Sequence, residues 1–274
     1  MLGAIVGDIA GSTYERRNFK FESCEIFAKG SRATDDTVLT LATADHFLFG
    51  NSYAEVYRQF GRNYPHAGYG ASFRKWMLSE KPEPYQSWGN GSAMRVSPIA
   101  WVADDIEWAL EEAKRSAEVT HDHPNGIKGA QAVVAAVFLA RQGKSKESIR
   151  SYLSNQFGYD LNRTVEDIRP DYYFDVSCEG SVPEAIVAFL DSTNFETAIR
   201  KAISLGGDSD TIACISGAIA DAFYGGVPRW MKAYCMNVLD VAQRSIINDF
   251  WHRYPRYNAI DKFNDPNLAV CRKS

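Results

Sequence analysis

The sequence is short of several things, and each shortage removes a class of protein. Its 274 residues hold five cysteines, Cys24, Cys178, Cys214, Cys235 and Cys271, scattered and with none of the short C-x-x-C spacings of zinc or redox sites. An odd, dispersed set of this kind excludes a disulfide scaffold and reads as the reduced thiols of a cytoplasmic protein. Positive charge is not in excess: 30 Lys and Arg stand against 34 Asp and Glu, a net charge of -4. No overall field therefore favours general nucleic-acid or anionic-membrane binding. Long hydrophobic runs are missing too, since none approaches the roughly 18 apolar residues that cross a bilayer as a helix. The apolar residues 1–15 have no basic leading segment and carry Asp8 in their middle, which argues against an export signal.

Two further absences concern organisation. Strand-like alternation is nearly lacking, and no low-complexity linker is long enough to separate domains. What is present is a folded composition, 45% hydrophobic and 23% charged with 13% aromatic residues. Apolar residues recur at spacings of three and four over residues 36–49, 52–62, 105–119, 126–142, 145–157, 183–191, 194–204, 211–224 and 231–250. The pattern predicts one compact all-α domain over residues 1–274. Helices rich in small residues, such as Ala130, Ala132, Ala135 and Ala136, or Ala213, Gly217, Ala218 and Ala220, suit the centre of a bundle because they let axes approach closely. Residues 158–182 have no clean period and are expected to form a long loop over the bundle, bordering a site.

Two segments place several hard oxygen ligands at the predicted start of a helix. One is Thr34-Asp35-Asp36-Thr37; the other is Gly206-Gly207-Asp208-Ser209-Asp210-Thr211. Either alone reads equally as a helix N-cap, where Asp and Thr side chains satisfy free amides at the positive end of the dipole. Their duplication shifts the balance. A cap uses one side-chain oxygen, whereas each cluster brings two carboxylates and a hydroxyl, and close carboxylates repel unless a cation or proton sits among them. Facing each other, the two tips would make an oxygen cage for magnesium, manganese or calcium. Zinc is disfavoured because neither cluster has Cys or His close in sequence. The spacing does not fit the twelve-residue EF-hand loop.

These residues resemble the ADP-ribosylglycohydrolase family. The resemblance rests on five ordered motifs: Gly7 to Glu15, Thr34 to Thr37, Gly89-Asn90-Gly91-Ser92-Ala93-Met94-Arg95, Thr120-His121 followed by Gly129-Ala130, and Ser204 to Thr211. It implies an orthogonal helical bundle with two divalent cations, Mg2+ or Mn2+, held by Thr34, Asp35, Asp36, Asp208, Asp210 and Thr211. Glu15 matches the glutamate that lies over the metals in similar enzymes and is a catalytic candidate with Asp35 and Asp36. His121 occupies the position whose counterpart contacts the bound nucleotide.

The implied activity is hydrolysis of the glycosidic bond between ADP-ribose and a modified acceptor, an arginine side chain before serine, acetyl or nucleobase linkages. An ADP-ribosylated protein or other conjugate would be the partner, and ADP-ribose the product. Cleavage of such a bond passes through an oxocarbenium-like state, so the sugar must be fixed and water delivered. The stretch Ser87-Trp88-Gly89-Asn90-Gly91-Ser92 offers small residues near the phosphates and an indole to stack on adenine, though it also reads as a tight turn with a buried Trp. His121 and His123 beside Pro124 read alternatively as the start of a helix. Tyr69, Phe73 and Trp76 read as core. Two non-enzymatic alternatives stand beside the hydrolase: a crystallin-like relative without catalysis, and a calcium-stabilised binding module.

Overall fold

The computed structural model describes residues 1–255; Cys271 and the rest of residues 256–274 lie outside the described part. Fifteen helices and no strand are found among the described residues. They are α1 (Leu2–Gly11), α2 (Asp35–Phe49), α3 (Tyr53–Asn63), α4 (Ala71–Leu78), α5 (Gly91–Met94), α6 (Ser97–Val102), α7 (Ile106–Glu118) and α8 (Pro124–Arg141). There follow α9 (Lys146–Phe157), α10 (Val165–Ile168), α11 (Cys178–Leu190), α12 (Phe195–Ser204), α13 (Ser209–Tyr224), α14 (Arg229–Val238) and α15 (Val241–Arg253). The all-α expectation is met. No helix among the described residues is long and apolar enough to cross a membrane.

Several details differ from the periodicity reading, which also passes over α4, α5 and α6. The apolar N-terminus is itself a helix, α1, which the windows do not include, and all of its residues are buried. The stretch 158–182 is not one loop, because it holds the capped turn α10 and the first residues of α11, which starts at Cys178 with Pro183 inside it. The window 231–250 is two helices. Leu239 leaves the helical region, and Asp240 restarts the chain with a capping box in which its carboxylate accepts from the Gln243 amide at 2.8 Å.

The centre of the molecule is α13, buried along Ser209–Ala222, and α1 lies directly on it. The contact is made by backbone. A Cβ placed on Gly3, Gly7 or Gly11 would run into the carbonyl oxygens of Gly217, Ala213 and Ser209 respectively, so glycine at every fourth residue lets the two axes close up. We expect Gly7→Ala to destabilise the fold by about 3 kcal/mol, the upper range for overpacking. Gly70→Ala is the control: its φ is -60° and nothing lies within 4 Å of the added carbon. Paired thermal melts check this, and equal midpoints would refute the backbone-contact account.

Candidate active site

The seam between α1 and α13 sets Asp8 beside Asp210, and α2 enters alongside. Asp8, Asp36 and Asp210 each bring a carboxylate oxygen within 4.8 Å of the others. The two acidic segments therefore converge, and they are joined directly: the Thr211 hydroxyl donates to Asp36 Oδ2 at 3.4 Å across 175 positions of sequence.

Asp8 is the residue the sequence reading did not assign. Its Oδ2 accepts from the Thr34 amide at 2.9 Å and the Thr37 amide at 3.1 Å, its Oδ1 accepts from the Thr34 hydroxyl at 2.6 Å, and the Thr37 hydroxyl also donates to Oδ2. A fully buried carboxylate with four donors has its lone pairs committed, so Asp8 fixes the first turn of α2. A single Asp inside an otherwise apolar helix was the available signal.

The capping interpretation holds for one tip only. Thr34 does cap α2, accepting from the Asp36 amide at 3.4 Å. Asp208 makes no capping bond at α13; its Oδ2 instead accepts from the Asn90 side-chain amide at 2.7 Å. Gly206 and Gly207 precede it at φ of +76° and +71°, a left-handed pair in which a side chain would be strained.

Burial dominates the electrostatics. It pushes the Asp36 and Asp210 carboxyls well above the usual carboxylate range, helped by the charges of Asp8 and Asp208 respectively. Asp35 is pushed up to about 7 by burial and then by Asp8. Asp208 is raised by burial against the opposing Asn90 bond. Asp36 Oδ1 is buried without any hydrogen-bond partner. An unpaired buried carboxylate oxygen amid mutually repelling acids is what a hard divalent cation relieves, and this all-oxygen donor set fits magnesium, manganese or calcium.

The acids open onto a cleft of about 360 Å³ lined by Glu15 and all six residues expected to ligate metal, Thr34, Asp35, Asp36, Asp208, Asp210 and Thr211. Ser87, Gly89, Asn90, Gly91 and His121 line it as well. Two residues of that stretch do not. Trp88 stands half-exposed outside the lining, and Ser92 is buried, its hydroxyl donating to the Gly126 carbonyl at 2.7 Å. The apolar lining comes instead from Leu39, Phe73 and Met94 together with Tyr85, Phe174 and Val176, the last three of which no motif marked. The Gly89 and Asn90 amides are committed internally, to Ser87 Oγ at 3.2 Å and the Val176 carbonyl at 2.8 Å. What this stretch gives a ligand is space, with the His121 ring behind Gly91. His123 caps α8 and takes no part. Tyr69 stacks on Phe73 in the core.

A family model described as ADP-ribosylglycohydrolase matches residues 1–258. The ADP-ribosylhydrolase ARH3 of Homo sapiens is 28% identical over 305 residues, covering 82% of this chain and 84% of its own. The ADP-ribosylarginine hydrolase Tri1 of Pseudomonas putida (strain GB-1) is 24% identical over 302 residues, covering 95% and 79%. A solved structure described as an ADP-ribosylglycohydrolase-related protein complex superposes with a TM-score of 0.69 over 95% of each chain at 23% identity, a likeness of fold.

Proposed function

Since the chain belongs to the ADP-ribosylglycohydrolase family, we propose that it hydrolyses the glycosidic bond between ADP-ribose and an arginine side chain of a modified protein, releasing ADP-ribose. The observation that carries this reading is the convergence of the two acidic tips, tied by Thr211 and Asp36, in one cleft with Glu15.

Thr34, Asp35, Asp36, Asp208, Asp210 and Thr211 are the residues that would hold two divalent cations, Mg2+ or Mn2+. When bound, such ions act as Lewis acids toward ribose oxygens and water. Glu15, at the cleft and ion-paired with Arg16 at 3.0 Å, is the carboxylate we assign to take the proton of the attacking water. Asp35 and Asp36 join it in favouring positive charge at the anomeric carbon. Asn90 donates to Asp208 and so ties the Ser87–Ser92 stretch to the acidic centre. Gly89, Gly91, Ser87 and His121 border the space for the diphosphate, and Trp88, exposed beside it, remains our candidate for the adenine. Among acceptors we favour arginine because an ADP-ribosylarginine hydrolase, Tri1 of Pseudomonas putida, stands among the relatives matched over most of the chain.

The test is a release assay with arginine-, serine-, acetyl- and nucleobase-linked ADP-ribose conjugates, with magnesium or manganese present. Release from the arginine conjugate is the expected result. Release only from another conjugate overturns the acceptor assignment; ADP-ribose binding without release from any of them makes the chain a non-catalytic relative.

A further inference from the structure

The cleft wall includes a buried cation that neither metal binding nor water activation uses. Arg95 is fully buried, with Tyr57 stacked on its guanidinium at 4.1 Å. One nitrogen, Nη2, donates to the Ser116 carbonyl at 2.7 Å and to the Thr120 hydroxyl at 2.9 Å, while Nε and Nη1 have no partner. Thr120 Oγ1 in turn lies 2.7 Å from Nδ1 of His121.

The donor and acceptor count along this chain has one consistent solution. A guanidinium only donates, so Thr120 Oγ1 accepts from Arg95. Its own proton then needs an acceptor, and His121 Nδ1 is the one within reach. The opposite arrangement aims two donors at one oxygen and leaves a buried hydroxyl proton unpaired, which costs about 1–3 kcal/mol. Nδ1 is therefore bare, and the proton of the neutral ring sits on Nε2. Burial, then the Arg95 charge, hold the His121 pKa well below its ordinary value, so the ring is neutral. The Nε2 edge faces the glycines of the cleft: a Cβ on Gly91 would stand 3.2 Å from it.

We propose that Arg95 is a positioning residue that acts through Thr120 to lock His121 in its Nε2-protonated tautomer, giving the cleft a fixed hydrogen-bond donor for an oxygen of an anionic ligand. Naming that anion a diphosphate rests on the reading above. A ring free to exchange tautomers would present a lone pair to the ligand part of the time, and a lone pair repels an anion. The lock removes that state.

The tautomer is read by long-range proton–nitrogen correlation on ligand-free, nitrogen-15-labelled protein. Wild type shows His121 protonated on Nε2 alone. Thr120→Val, which keeps the shape and removes the hydroxyl, shows a mixture and binds ADP-ribose about tenfold more weakly in a calorimetric titration with magnesium present. Thr120→Ser restores both. Arg95→Met gives the Thr120→Val spectrum wherever its helical circular dichroism is retained, and Thr120→Val carries the test where it is not. A wild-type ring protonated on Nδ1, or a Thr120→Val protein unchanged in spectrum, overturns the lock; a changed spectrum with unchanged affinity overturns the donor role. If wild type binds no ADP-ribose, the functional reading falls, while the ligand-free spectrum still decides the lock.

Discussion

Asp36→Asn and Asp210→Asn should each cut turnover on the order of 10³-fold while raising the thermal midpoint of the metal-free protein. The two effects have one origin. Each side chain is buried among like charges, and each carboxyl is displaced upward by burial and by its neighbours. Neutralising one acid removes repulsion that the fold otherwise carries, so the metal-free variant gains stability. The same change takes a charged ligand from the metal site we propose. The loss should appear in cation affinity first, by calorimetry, and in turnover as a consequence. A variant that loses turnover with cation affinity intact means that the ligands are wrongly assigned; one whose metal-free midpoint drops means that these acids are held by protein contacts and not strained against each other.

The second large effect concerns pH. Asp35, Asp36, Asp208 and Asp210 all titrate above their ordinary value of 3.8 in the folded chain, Asp35 at about 7. The folded state therefore holds protons that the unfolded state releases near pH 4. The stabilisation this gives is complete below about pH 4 and is lost as pH rises through the folded-state values. Glu22, where Arg169 and Lys201 outweigh burial, and Glu112, where His46 and Tyr53 do so, have the opposite sign and lose their contribution on the acid side. Between pH 5.5 and 8 Asp35, Asp36, Asp208, Asp210 and Asp8 pull stability down as pH rises, against His121 and the Met1 amino group, whose lowered values pull it up; the acids outnumber them and set the sign. Metal-free protein should melt progressively lower over that range. Saturating magnesium or manganese should raise the midpoint at pH 8 by about 5–10 °C, as a ligand at a hundredfold excess over its Kd does for a chain of this size. At pH 5.5 protons compete for the same oxygens and the gain should be smaller. Equal gains at both pH values would show that the ion binds elsewhere.

Much of this site was legible in the sequence because its chemistry is concentrated in short runs. Thr34-Asp35-Asp36 and Asp208-Ser209-Asp210-Thr211 advertise themselves by carrying more charge than a helix cap can use, and the cleft brings them together with Glu15. Asp8 was not legible in that way. Its role depends on four donors from α2, contacts between segments that the order of residues does not reveal. Tyr85, Phe174 and Val176 line the cleft by where their loops cross it, and no local pattern marks a residue for that. The helix α1 reads in the sequence as an apolar terminal stretch, and what marks it as a helix of the core, Gly3, Gly7 and Gly11 against the α13 backbone, is a contact between distant segments. Trp88 shows the converse: the motif singled out the residue, but the direction of its side chain belongs to the folded chain.

The glycine seam between α1 and α13 bears on how the acidic centre is held. A joint made of main chain against main chain has no rotamers with which to yield, so the placing of Asp8 against Asp210 is a property of two rods in contact. Asp8 in turn grips the Thr34–Thr37 turn. A carbon added at position 7 would therefore be felt at the start of α2 as well as along α13.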